Sequence, residues 1–184
     1  GTAARAMANF GLGDLRIVNP RDGWPNESAR RAASRADHVF DRIRVFDSLA
    51  EAVADLGFLI ATTARSREIV KTVRGPASAA AILRGHATAG TGTGILFGRE
   101  RVGLFNEEIS LCDEIVTLPV APRFASLNIA QAVLILGYEW RRSGLSEEDG
   151  GLPFQTPNPS RPASKEELLG LFEHLERALD AVTS

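Results

Sequence analysis

Apolar strand-like runs, each divided from the next by a helical pattern, constrain this chain more than any other feature. Phe58-Leu-Ile-Ala-Thr-Thr63, Gly94-Ile-Leu-Phe97 and Glu114-Ile-Val-Thr-Leu118 are largely continuous in apolar character instead of alternating with polar residues. Such runs suit strands buried on both faces, the condition of a parallel sheet covered by crossover helices. The intervening segments supply those helices. Ser48-Leu-Ala-Glu-Ala-Val-Ala-Asp-Leu56 opens with a capping box, Ser48 three residues before Glu51, and sets Leu49, Val53 and Leu56 on one face. Further helices are predicted over 26–36, 77–84, 107–111 and 127–142, with short strands at 15–20 and 44–46. The expected architecture is α/β, with a mostly parallel sheet and helices on both faces.

The pattern ends near residue 142, so 1–142 reads as one domain. Residues 143–163 are rich in glycine and proline and read as a linker. From 164 to 184 a second capping box, Ser164 with Glu167, opens an acidic amphipathic helix. Its stripe of Leu168, Phe172, Leu175, Leu179 and Val182 needs covering by the domain, a second subunit or a C-terminal continuation.

Charge and cysteine usage narrow the class. The net charge of −2 argues against a simple polyanion binder, but it is unevenly spread. Residues 145–184 hold eight acidic and three basic residues, which leaves the rest of the chain net basic. Nineteen of the twenty-one basic residues are arginine, whose planar fork suits phosphate, although genome composition produces the same bias. The single cysteine, Cys112, excludes an internal disulfide and fits a reducing, cytoplasmic setting. His38, His86 and His174 are scattered without ligand spacing, so no metal is expected. No apolar run approaches the roughly 20 residues of a membrane span.

In open α/β sheets ligands bind beyond the carboxyl ends of the strands. That directs attention to Thr62-Thr63-Ala64, Gly98-Arg99-Glu100 and Leu118-Pro119. Gly90-Thr-Gly-Thr-Gly94 is not a nucleotide loop, because it precedes a strand where the dinucleotide fingerprint follows one. Ser126 lies outside any Gly-x-Ser-x-Gly context and has no histidine near it in sequence, so a hydrolase triad has little support.

Three segments then carry a resemblance in fixed order. They are Ala4-Arg-Ala-Met7, Leu96-Phe-Gly-Arg-Glu-Arg-Val-Gly-Leu104, and Ser126-Leu-Asn-Ile-Ala-Gln-Ala-Val133 followed by Tyr138-Glu139. Together they resemble the motifs of the SpoU/TrmH branch of the SPOUT RNA methyltransferases, in the TrmJ-like group. Thr63-Ala-Arg-Ser-Arg67 is similar to the segment after the central strand in that group. The family usually has a strand and an asparagine ahead of its first motif. This chain begins after both, so the expected sheet lacks an element.

The resemblance implies a C-terminal trefoil knot and an S-adenosylmethionine-dependent RNA ribose 2′-O-methyltransferase. The target would be a tRNA anticodon-loop nucleotide of the position 32 class, and the product S-adenosylhomocysteine. It also implies a cytoplasmic homodimer, which the Leu127–Tyr138 helix supports, since a helix apolar nearly all round is hard to satisfy in a monomer. By carry-over, Thr62, Thr63, Ala64, Gly98, Leu118, Ala125, Ser126 and Leu127 hold the cofactor. Arg5, Glu100, Ser126 and Asn128 serve the reaction. A guanidinium has donors only, so Arg5 would fix a phosphate and stabilise the developing alkoxide, while phosphate or water takes the proton. Glu100 would pair with Arg5 from either subunit or cap the short helix near Asn106. Arg65, Arg67 and Arg123 are the candidate RNA-backbone contacts. Plainer readings stay open beside these, in which Gly98 ends a strand, Ser126 caps a helix and Leu118 is core. The alternatives at the level of function are an rRNA 2′-O-methyltransferase and a non-catalytic knotted RNA-binding module.

Overall fold

The computed structural model describes residues 1–64, 70–124, 126–145 and 161–183. The chain divides into two units, residues 1–150 and 151–184. In the first, helix α1 (Thr2–Asn9) is followed by β1 (Arg16–Val18), α2 (Glu27–Ala33), α3 (Asp37–Phe40), β2 (Arg44–Phe46) and α4 (Leu49–Val53). Then come β3 (Phe58–Thr62), β4 (Val73–Arg74), α5 (Pro76–Thr88), β5 (Thr93–Leu96), α6 (Asn106–Ser110) and β6 (Glu114–Val116). A 3-10 turn (Pro122–Phe124) and α7 (Ile129–Arg142) complete it.

Among the described residues all the strand pairings are parallel, but the strands form two sheets where one was expected. β4, β6, β3 and β5 lie side by side in that order, and β1 pairs only with β2. The two-sided burial read from the sequence is present in the larger sheet. Leu59, Ala61 and Ile115 join Leu104, Ile109 and Cys112 beneath α4 and α6. Ile60 and Val116 turn the other way, against Ala79 and Leu83 of α5 and Leu136 of α7. Alternation of side chains along a strand therefore feeds two separate cores, which is why neither side of the sequence run is polar.

Local chemistry explains where the elements start and stop. Ser48 accepts from the Glu51 amide at 3.2 Å, one of the two bonds of the predicted capping box, and so caps α4. Asn26 caps α2 through the Ala29 amide at 2.9 Å. The helix predicted over 26–36 breaks after Ala33. Ser34 (φ 36°) and Arg35 (φ 66°) enter the left-handed region, and this reversal lets Ala33, Ala36 and Phe40 share one small core with Trp24. α5 extends to Thr88, four residues past its predicted end at Arg84. Strand β4 was not legible, because it contributes only Val73 and Arg74 and is held to β6 partly by the Arg74–Glu114 ion pair.

The last helix begins at Ile129, with Asn128 as its cap in place of Ser126. The Asn128 side chain accepts from the Ala130 amide at 2.8 Å, and Gln131 accepts from the Asn128 amide at 3.1 Å. One face of α7 packs on α1 and α5 through Val133 and Leu136. At Gly137 the approach of α1 is close enough that a Cβ would lie 2.9 Å from the Phe10 ring.

The second unit contains α8 (Lys165–Thr183). Its capping box forms, with the Ser164 amide donating to Glu167 at 2.7 Å and the Glu167 amide to Ser164 at 3.1 Å. Leu169, Phe172, Leu175, Leu179 and Val182 are exposed along it. No helix among the described residues is long and apolar enough to cross a membrane.

Candidate functional site

The carboxyl ends of β3, β5 and β6 open into one cavity of about 340 Å³, within the range of roughly 300–1,000 Å³ usual for small-molecule sites. β3 delivers Thr62, Thr63 and Ala64, and β5 delivers Phe97 to Leu104. β6 and the segment after it deliver Val116, Leu118, Val120, Ser126 and Leu127, with Ile129 and Ala132 from the start of α7. Three junctions far apart in sequence thus meet because parallel strands end on the same edge.

The wall from Gly98 to Leu104 is a tight reversal. Arg99 and Gly103 exchange backbone hydrogen bonds of 3.3 and 2.8 Å, while Arg101 (φ 73°) and Gly103 (φ 76°) take left-handed conformations. The side chains around it are anchored outside the cavity. Arg99 forms a 2.9 Å ion pair with Glu108 and lies 4.9 Å above the Phe105 ring. Opposite, Thr62 donates to the Leu96 carbonyl at 2.9 Å, joining β3 to β5 at the cavity floor. The remainder of the lining sets aliphatic side chains, among them Leu104, Val116, Leu118 and Leu127, beside the polar or charged Thr63, Glu100, Arg101 and Ser126, the mixed character usual for a small-molecule site.

The predicted site residues fall into three groups. Thr62, Thr63, Ala64, Gly98, Leu118, Ser126 and Leu127, the predicted cofactor set, line the cavity, and Glu100 stands in the same wall. Ala125, Arg65 and Arg67 lie outside the described residues. Arg5, Asn128 and Arg123 do not line the cavity. Arg5 is exposed on α1 between buried Ala4 and Ala6, Asn128 caps α7, and Arg123 is exposed on the 3-10 turn. Glu100 does not cap α6; the Glu108 carboxylate does, accepting from the Phe105 amide at 2.7 Å.

The SpoU rRNA Methylase family matches residues 1–138. The chain belongs to that family. Among its relatives is the Pseudomonas aeruginosa tRNA (cytidine/uridine/adenosine-2'-O-)-methyltransferase TrmJ, 37% identical over 186 residues, covering 97% of this chain and 71% of that protein. The crystal structure of TrmJ from Z. mobilis is 46% identical with a TM-score of 0.72, covering 99% of this chain and 74% of that one. A structure concerned with 2-OH methylation of C/U34 on tRNA is 25% identical with a TM-score of 0.59, covering 77% of this chain and 86% of that one.

The chain is therefore a methyltransferase of the SpoU family, similar to TrmJ. What sequence reading missed in this SpoU-type site is how much of the lining is aliphatic. Val116, Val120, Ile129 and Ala132 look like core on any sequence scale, and only their position at strand and helix ends makes them lining. Arg101, inside the second motif, could have been flagged by its adjacency to the Gly98-Arg99-Glu100 junction.

Proposed function

We propose that this chain transfers the methyl group of S-adenosylmethionine to a ribose 2′-hydroxyl of tRNA, releasing S-adenosylhomocysteine, with an anticodon-loop nucleotide of the position 32 class as target. The observation that carries this reading is the convergence of the second and third motifs and the Thr62–Ala64 strand end on one cavity of about 340 Å³. The tRNA-directed names of the relatives support the substrate.

The residues present fit such a donor. Backbone groups of the Gly98–Leu104 reversal and the aliphatic side chains of Leu118 and Leu127 would hold the adenosine, with Thr62 and Thr63 at the strand end. When bound, S-adenosylmethionine supplies an activated methyl group. Arg5 would fix the phosphate beside the target ribose and stabilise the oxygen as its proton leaves to phosphate or water. Ser126, exposed in the cavity wall, and Asn128, just beyond it, would border that ribose. Arg65, Arg67 and Arg123 would grip the RNA backbone.

The reading includes a cytoplasmic homodimer and a C-terminal trefoil knot formed around the Leu118–Leu127 segment. Exposed apolar residues on α7 and the absence of Arg5 from the cavity lining support two copies, with Glu100 meeting Arg5 across the interface. Titration with S-adenosylhomocysteine and incubation with bulk tRNA and rRNA, followed by nucleoside mass spectrometry, test the proposal. New 2′-O-methylcytidine or 2′-O-methyluridine in tRNA is expected. Modification of rRNA alone would overturn the substrate, and failure to bind the cofactor product would overturn the site.

A further inference from the structure

The cavity wall from Gly98 to Leu104 is held from outside by one carboxylate that does not itself line the cavity. Glu108, on α6, accepts from Arg99 through Oε2 at 3.0 Å, and its Oε1 lies in ion-pair contact 2.9 Å from the other terminal guanidinium nitrogen. It also accepts from the Phe105 amide at 2.7 Å. The Arg99 guanidinium is thereby fixed between that carboxylate and the Phe105 ring, 4.9 Å away. α6 is in turn rooted in the core, since its Ile109 is fully buried with Leu104 and Cys112. The Glu108 side chain is 19% exposed while that of Arg99 is 56% exposed, so the carboxylate is the sheltered anchor and the arginine the arm it restrains.

We infer that Glu108 is a positioning residue for the methyl-donor site: by clamping Arg99 and the Phe105 amide, it sets the shape of the Gly98–Leu104 wall on which donor affinity depends. This rests on the donor reading of the cavity. A guanidinium held by one charge-assisted hydrogen bond, a second ion-pair contact and the Phe105 ring is restricted far more than one held by a single contact. The wall needs such restraint, because Arg101 sits in a left-handed conformation at its tip. The inference separates Glu108 from a simple helix cap, which would hold Phe105 and leave Arg99 indifferent.

Calorimetric titration of the full chain with S-adenosylhomocysteine tests it. Glu108→Gln keeps an oxygen for the Phe105 amide but loses the charge that pairs with Arg99, so the helix start is retained. The expected result is about tenfold weaker binding, with the melting temperature nearly unchanged. Glu108→Asp, which keeps the charge but is one methylene shorter, should fall between parent and Glu108→Gln. The double variant Arg99→Lys with Glu108→Gln should bind no more weakly than the weaker single variant, because both remove one clamp. Parent-like affinity in Glu108→Gln, or losses that multiply in the double variant, would overturn the inference alone. Failure of the unsubstituted chain to bind S-adenosylhomocysteine would instead overturn the donor reading, and this inference with it.

Discussion

Gly98 lies so close to Gly103 that a Cβ on it would sit 2.3 Å from the Gly103 carbonyl carbon, and 2.5 Å from the Leu104 amide nitrogen. Both obstacles are backbone, so no rotamer change relieves them. Gly98→Ala should open the reversal, cost about 1–3 kcal/mol of stability, and weaken S-adenosylhomocysteine binding at least about tenfold. Thermal melts and calorimetry on the same preparations check this. Retained affinity would show that Gly98 merely ends its strand.

Acid should loosen the edge of the larger sheet. Arg74 donates to both oxygens of Glu114, one at 2.8 Å, and ties β4 to β6. That hydrogen bonding, against a smaller opposing effect of burial, holds the Glu114 carboxyl below its ordinary value of 4.5. A carboxyl depressed in the folded state contributes stability that is fully present above the ordinary value and is lost as pH falls through the depressed one. Glu114→Gln should therefore lower the melting temperature at neutral pH, and the difference from the parent should shrink well below 4.5. A difference that does not change with pH would sink the assignment.

The parallel α/β class was legible because Leu59, Ile60 and Ala61 point to two different cores, which forbids polar alternation. Pairing was not. β1 and β2 carry the same apolar signal as the other strands, yet exposed Val18 and Val45 and a separate two-stranded pairing set them apart. In the cavity, Thr62, Gly98, Leu118 and Ser126 were found through motif order, while Val116 and Val120 were invisible because a lining valine and a core valine have one chemistry. Glu108 escaped notice for a related reason: its bonds to Arg99 and Phe105 exist only after the loop has reversed.

Arg5 separates binding from chemistry. It is exposed on α1 and does not line the cavity, so it cannot contribute much to holding the donor in its own chain. Arg5→Ala should reduce methyl transfer by about 10²-fold or more while S-adenosylhomocysteine affinity changes less than about twofold. Single-turnover transfer to tRNA and calorimetry read the two quantities independently. A large loss of affinity would move Arg5 to a structural role in α1.

The exposed side of α7 carries the dimer prediction. Leu134 (41% exposed), Ile135 (36%) and Tyr138 (52%) form one apolar strip, since positions three and four apart share a helix face. The opposite side, with Val133 and Leu136, is already buried against α1 and α5. Leu134→Glu would place a desolvated carboxylate in the proposed interface without disturbing that packing, and should weaken self-association by about 2 kcal/mol or more. Sedimentation should show dimer for the parent and monomer for the variant at the same concentration. The monomer should still bind S-adenosylhomocysteine, because Thr62, Gly98, Leu118 and Leu127 come from one chain. It should fail to methylate tRNA, because Arg5 would no longer reach the cavity of a second copy. A monomeric parent, or a monomeric variant that retains full transfer, would rule this arrangement out.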